Sequence, residues 1–335
     1  MFASLRVEDP EQRLAAVRLC SDLPLEHPEF VREDGDWVFE LPSTGLARLE
    51  YQLELSAHDG GTAVVCDPDN PERAPGAFGE KSVLLAPGYR APAWLEAPYA
   101  AGTSESIELR VLGRDLDVAI WSPCAGELPL LVAHDGPEYA KLARLTRYAG
   151  AVIDRGAVPP FRVALLPPGE RDEWYSASAA YGRALCNRIL PAIRSQVAVR
   201  GLPVGMGASL GGLAMLQAQR TWPGAFSGLF LQSASFFVPR FDRHESGFPR
   251  YVRIVRFVRR VLRATEFTEP VTVSMTCGAE EENIHNNRLM ASALRSQGYD
   301  AELAEVPDLH NYTNWRDALD PHLTTLLARV WGQVN

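Results

Sequence analysis

In the last two thirds of the chain, short unbroken apolar runs alternate with longer stretches in which apolar residues recur every three or four positions. The short runs lie at 128–133, 161–166, 203–206, 228–232, 271–276 and 301–306. They have strand length, and a strand apolar on both sides is one buried on both faces. The longer stretches, at 139–155, 176–196, 210–220, 284–296 and 315–331, carry the period of helices. Two further runs, 107–112 and 117–121, open this region as a strand pair. The alternation predicts an α/β architecture, a mainly parallel sheet with helices on both faces.

The first 95 residues have a different texture. A helix-like stretch at 10–20 precedes strand-like runs at 37–41, 47–55 and 62–66. The middle run alternates apolar and polar residues, as a half-buried strand does. Asp67-Pro68-Asp69-Asn70-Pro71 and Pro87-Gly88-Tyr89 supply turn chemistry. The expectation is a small β-sandwich over 1–95, a Pro- and Ala-rich linker at 92–103, and a second domain over 104–335.

Composition narrows the function classes. Of 335 residues, 46% are hydrophobic and 22% charged, which allows a large core. A net charge of -9 argues against a nucleic-acid partner. No apolar run approaches the ~20 residues needed to span a bilayer, and the first residues lack a signal peptide's apolar core. Five cysteines, at 20, 66, 124, 186 and 277, are odd in number and without C-x-x-C spacing. They read as free thiols in a reducing compartment, and not as a metal site, so the expected location is the cytoplasm. Oligomeric state is left open.

The chemistry concentrates at Gly207-Ala208-Ser209-Leu210-Gly211. An apolar run leads into this G-x-S-x-G segment and a helical run leads out. Strand, serine, helix is the context of a nucleophile elbow, whose sharp turn needs small neighbours and exposes the hydroxyl. A helix N-terminus beneath it favours developing negative charge. In a hydrolase of this kind the acid and the base follow the serine. Three carboxylates, Glu280, Glu281 and Glu282, follow the strand at 271–276. His285 and His322 fall in helical patterns. His310 falls in a loop just after a strand, where a base has room to reach its partners.

With those residues in place, the chain resembles the esterase D branch of the α/β-hydrolase superfamily, and within it the enterochelin-esterase-like group. The matching segments are Asp67-Pro68-x-Asn70-Pro71, Gly88-Tyr89, His134-Asp135-Gly136, Pro159-Pro160, the elbow, Cys277-Gly278-x-x-Glu281 and His310-x-x-x-x-Trp315-Arg316. More loosely, Arg171-Asp172-Glu173-Trp174-Tyr175 is similar to an Arg-x-x-Glu-Tyr element of the family. The resemblance implies an α/β-hydrolase fold behind an N-terminal, E-set-like β-sandwich. It implies Ser209 as nucleophile, Glu281 as the acid and His310 as the base, with no metal or other cofactor and a small-molecule ester as partner.

The resemblance also raises a difficulty. One oxyanion donor is the N–H of the residue after the nucleophile, Leu210. The family's second donor falls on Pro137, which has no N–H. The donor must then be the backbone of Gly136 or Glu138, or a side chain such as Tyr175. Asp135, Arg171, Trp174, Tyr175 and Arg253 are the candidate substrate contacts. Arg253 belongs to a basic amphipathic stretch, 250–263, which as a cap over the site would suit an anionic or catecholate-type ester. Two other readings stay open: an acyltransferase of the mycolyltransferase type, and a catalytically silent binding module.

Overall fold

The computed structural model describes residues 3–332. Two compact units divide the chain. The first holds the residues up to Arg90, together with Gly278–Glu281 and Val306–Asn314; the second holds the rest. The sequence alone draws a single boundary near residue 95. The two added segments are bonded to the first unit's chain: Ala47 donates its N–H to Pro307 O (2.7 Å), Arg48 donates to Asp308 (3.3 Å), and Gly45 donates its N–H to Glu280 (2.5 Å).

In the first unit the strands are β1 (Ala3–Val7), β2 (Leu14–Ser21), β3 (Val31–Glu33), β4 (Asp36–Leu41), β5 (Arg48–Ala57), β6 (Thr62–Val65), β7 (Arg73–Ala74) and β8 (Lys81–Leu85). They form two antiparallel sheets, β1-β4-β3 and β2-β5-β8-β7, with β6 also on β5. Leu5 and Val7 of β1, Phe39 and Leu41 of β4, Val17 and Leu19 of β2, and Leu49, Tyr51 and Leu53 of β5 share one core. That period-two burial makes a sandwich of the two sheets. The helix expected at 10–20 is instead β2. Its Ala, Gln, Arg and Leu residues favour a helix, but Val17 and Leu19 alternate with Arg18 and Cys20, and antiparallel pairing with β5 decides the outcome. The Asp67 motif is structural here: Tyr51 donates its hydroxyl proton to Asp67 (2.5 Å), and Asn70 donates to Val83 O (2.8 Å).

The second unit's sheet comprises β9 (Thr103–Val111), β10 (Arg114–Ser122), β11 (Leu130–His134), β12 (Arg162–Leu166), β13 (Val204–Ala208), β14 (Gly228–Gln232), β15 (Thr272–Gly278) and β16 (Asp300–Val306). Their order is β16-β15-β14-β13-β11-β12-β10-β9. β9 and β10 bring antiparallel pairs, and β12-β11-β13-β14-β15 run parallel. The helices are α1 (Gly136–Lys141), α2 (Leu145–Asp154), α3 (Arg171–Trp174), α4 (Ala179–Ala184), α5 (Leu190–Gln196), α6 (Leu210–Thr221), α7 (Tyr251–Arg263), α8 (Ile284–Ser296), α9 (Tyr312–Asp317) and α10 (Thr324–Trp331). A side chain added at Gly205 would meet Met215 of α6, and one at Gly228 would meet Val330 and Leu326 of α10. Gly205 is in register with Leu229, the residue after Gly228. Successive strand residues face opposite ways, so α6 and α10 cover opposite faces.

Three helical patterns are broken. The one at 139–155 divides where Arg144 turns left-handed (φ 54°), the one at 176–196 carries a π-helical turn at Leu185–Ile189, and the one at 315–331 is interrupted at Asp320, whose backbone is extended (φ −114°, ψ 123°). The stretch expected as a linker is packed down. Trp94 is buried against Tyr148 of α2 (5.5 Å between rings), and Arg147 donates to Leu95 O (2.7 Å). Among the described residues no helix is long and apolar enough to cross a membrane.

Candidate active site

Ser209 sits between β13 and α6 with φ 53° and ψ −126°, a conformation that a non-glycine residue adopts only where its surroundings enforce it. The enforcement is close backbone packing. A Cβ at Gly207 would lie 2.5 Å from Gly211 C, and one at Gly212 would lie 2.9 Å from Ala234 Cβ. Ser209 N–H donates to Gln232 O (2.9 Å), and Ser235 N–H donates to Ser209 O (3.1 Å). The Ser209 and Ser235 hydroxyls are 3.1 Å apart. Ser235 is thus a buried hydroxyl partner of Ser209. Leu210 opens α6, so its N–H belongs to the first turn, where no intrahelical acceptor exists.

The loop after β11 is braced against this elbow. Asp135 is left-handed (φ 50°) and starts α1 at Gly136, with Pro137 next. An alanine at Gly136 would bring its Cβ within 2.3 Å of Leu165 Cα, so only glycine lets the loop pass β12. The position that a Cβ on Gly211 would take is 3.4 Å from Asp135 Oδ2 and 3.2 Å from His134 Cβ. The loop therefore lies beside the α6 N-terminus. Gly136 and Glu138 fall in the first turn of α1, where Pro137 has no N–H to lose.

His134, legible in the sequence only as one residue of a motif, is the brace. It is fully buried. One ring nitrogen, Nδ1, is 2.9 Å from Gly211 O, and the other, Nε2, is 2.8 Å from the Tyr181 hydroxyl. A carbonyl can only accept, so the proton is on Nδ1 and Tyr181 donates to Nε2. Burial lowers the pKa of His134 to about 4, which keeps the ring neutral with that single proton. Tyr175 stacks on the same ring (4.3 Å).

Asp135, Arg171 and Tyr175 serve the same brace. Asp135 accepts two bonds from Arg171, both 2.9 Å, and Tyr175 OH accepts Asp135 N–H (3.4 Å). Trp174 and Tyr175 are buried in the core, each ring enclosed by its neighbours, Trp174 stacking on Tyr181. Arg253 donates to Glu173 Oε1 (2.6 Å) and to Ser176 O (2.6 Å). The basic stretch is α7, and Ile254, Phe257, Val258 and Val261 turn into the core.

The three adjacent glutamates have three separate environments. Glu280 accepts the Gly45 N–H (2.5 Å). Glu282 is exposed and lies 2.8 Å from His244 Nε2. With Glu245 these form the one trio among the described residues with metal-ligand spacing, a surface cluster in which His244 and Glu282 are both exposed. Glu281 alone is buried. It accepts the Gly278 N–H on Oε1 (2.9 Å), and its Oε2 lies 3.1 Å from His310 Nδ1. The position of a Cβ on Gly278 would fall 2.1 Å from Asp308 O, so glycine lets the acid loop and the histidine loop approach.

Behind His310 stands a buried cation that no sequence motif announces. Arg48 of β5 donates to Glu50 (2.8 Å), Asp308 (3.3 Å) and Asn311 (3.1 Å), and all four residues are buried. Burial pushes the Asp308 carboxyl up to about 6, against the pull of Arg48. In sequence Arg48 looks like one polar residue of an alternating strand. Nothing there marks it as buried. In the second unit Trp315 donates its indole N–H to Ser233 (3.1 Å), and Gln232 links Tyr139 (2.8 Å) to Trp315 O (3.0 Å).

The Esterase family model matches residues 110–326. No curated protein matches the chain significantly. Solved structures do. The enterobactin esterase from Shigella flexneri, crystallised in the presence of enterobactin, is 19% identical over 99% of this chain and 93% of that chain, with a TM-score of 0.74. The ferric enterobactin esterase from Salmonella typhimurium is 17% identical over 98% and 93%, with a TM-score of 0.78. A feruloyl esterase module from Clostridium thermocellum, complexed with sinapinate, is 11% identical over 74% and 96%, with a TM-score of 0.55. At these identities the likeness is one of fold, the α/β-hydrolase fold.

Both braces can be tested by stability. His134 binds fewer protons folded than unfolded between pH about 4 and about 6.5, so its contribution is present above about 6.5 and is lost as pH falls toward 4. Urea titrations across this range should show the stability advantage of wild type over His134→Gln shrinking on acidification; a constant difference would refute the neutral buried ring. Arg48→Met leaves Asp308 and Glu50 buried without their cation. Removing one partner of such a pair costs ~3–5 kcal/mol, so the denaturation midpoint should drop sharply, and an unchanged midpoint would dismiss Arg48 as an anchor.

Proposed function

Because the chain belongs to the Esterase family and is a carboxylic-ester hydrolase, we propose that it works as a serine esterase in which Ser209 is the nucleophile, His310 the base and Glu281 the acid. One observation carries the reading. A buried carboxylate, Glu281, holds Nδ1 of His310 on loops that leave β15 and β16, strands of the sheet whose β13 ends in the strained serine. A ring with its Nδ1 proton committed to Glu281 presents Nε2 as the basic nitrogen.

In the first step Ser209 Oγ attacks the ester carbonyl while His310 Nε2 takes the hydroxyl proton. The carbonyl π pair moves to oxygen, giving a tetrahedral oxyanion. Collapse breaks the bond to the alkoxy oxygen, and His310 returns the proton to the departing alcohol. Water then attacks the acyl-enzyme with the same base, releasing the carboxylic acid and restoring Ser209. Glu281 fixes the imidazole tautomer and stabilises its cation. The oxyanion is received by Leu210 N–H together with a first-turn N–H of α1, Gly136 or Glu138, so Pro137 does not abolish the hole. The neighbour structures were obtained with enterobactin and with sinapinate, and we extend from them to a siderophore-like or other anionic, aromatic ester as the substrate. The free cysteines support a reducing, cytoplasmic setting.

Ser209→Ala should abolish both hydrolysis of activated short-chain esters and labelling by a fluorophosphonate probe, while Ser233→Ala and Ser235→Ala keep the labelling. Retained turnover in Ser209→Ala would sink the proposal. Glu281→Gln should lower turnover by at least ~10² through loss of tautomer control, with Glu280→Gln and Glu282→Gln mild; a loss confined to Glu282→Gln would move the acid. Gly136→Ala must push the loop off β12, and turnover should fall by ~10² with the fold retained. A crystal structure with a bound phosphonate whose oxygen meets only Leu210 N–H would refute the second donor.

A further inference from the structure

We propose that the outer face of α7 is a binding site for a small soluble polyanion of the oligophosphate class, distinct from the ester-cleaving serine. Arg253, Arg256, Arg259, Arg260 and Arg263, with Ala177, line a cavity of about 460 Å3. Its volume falls within the range of small-molecule sites, roughly 300–1,000 Å3. The helix builds it by simple periodicity. Ile254, Phe257, Val258 and Val261 face the core, so the arginines at spacings of three and four residues share the opposite side. Ala177, at φ 55°, lies in the turn before α4 and forms the other wall.

The charge balance of this face is unusual for the chain. The protein carries 42 acidic residues and a net charge of -9, and most of its exposed ion pairs match an arginine with a carboxylate. In the cavity only Arg253 is matched, by Glu173. Arg256, Arg259, Arg260 and Arg263 have no carboxylate within ion-pair distance among the described residues. The helix C-terminus favours cations, which accounts for Arg260 and Arg263 in the last turn and leaves Arg256 and Arg259 unexplained. Like charges three and four residues apart oppose helix formation, so an unfilled row is a cost that a bound anion removes. Guanidinium groups present paired N–H donors that match phosphate oxygens two at a time. A phospholipid headgroup shares the chemistry, and competition against vesicles separates the two sources.

The test is calorimetric titration of the full chain with inorganic triphosphate at about 0.15 M salt, where weak surface attraction is screened. One saturable site is expected. Arg256→Ala/Arg260→Ala should weaken it by about a hundredfold, about tenfold for each guanidinium removed. Arg256→Lys/Arg260→Lys should fall between, because charge is kept and the paired geometry is not. Hydrolysis of p-nitrophenyl acetate should be unchanged in both variants and the urea midpoint should not fall, which separates this site from the serine chemistry and from a folding defect. Binding seen only at low salt, binding indifferent to the alanine pair, or citrate binding more tightly than triphosphate would overturn the proposal. So would flotation with phosphatidylglycerol vesicles that triphosphate fails to compete.

Discussion

The second unit is organised around the close passage of backbone at the turn into α6. Ser209 is held at φ 53° because Gly207, Gly211 and Gly212 leave no side chain between the end of β13, the start of α6 and Ala234. Strain of this kind costs on the order of 1–3 kcal/mol and persists only where neighbours over-determine it. Here they do. The Ser209 N–H is bonded to Gln232 O at the end of β14, and its carbonyl receives Ser235. The buried β13 and the all-buried stretch of α6 supply the packing that fixes both flanks of the turn.

Around that turn, polar groups act as struts. His134 ties the loop after β11 to Gly211, and Arg171 and Tyr175 hold Asp135. Gln232 joins β14 to α1 and α9. In the first unit Arg48 does the equivalent for the loop that carries His310. Apart from the partly exposed Arg171, each strut is a buried hydrogen-bonded group, and a buried polar network rigidifies only when its members are satisfied. Several residues that look like substrate contacts in a motif turn out to belong to these struts. A loop that must present backbone N–H groups needs its own side chains to hold its path.

The site's charge is segregated. In the proposed mechanism the chemistry draws on the Glu281 carboxyl and backbone dipoles at the starts of α1 and α6, with a neutral His134 behind them. The strongly basic surface lies on α7, with Glu173 tying its first arginines, Arg250 and Arg253, to α3. Electrostatic preorganisation of the first kind stabilises developing charge without reorganisation. The second kind recognises charge already present on a ligand.

Local chemistry made much of the molecule legible. Buried-type runs declare the strands of the main sheet, because hydrophobicity on both faces has few other uses in a short segment. The elbow reads from five residues because its geometry demands glycines at set positions. Glu281 stands out from its two glutamate neighbours only through the family resemblance; in the structure Gly278 makes room for Asp308. Tertiary structure decided what depends on partners distant in the chain. β2 is a strand and not a helix because β5 pairs with it. Arg48 is buried because Asp308, 260 residues away, needs a cation. The side chains of Trp174 and Tyr175 are enclosed because His134 and Tyr181 close over them. Burial of a polar or aromatic side chain is set by what packs against it, and a sequence records the residue without its neighbours in space.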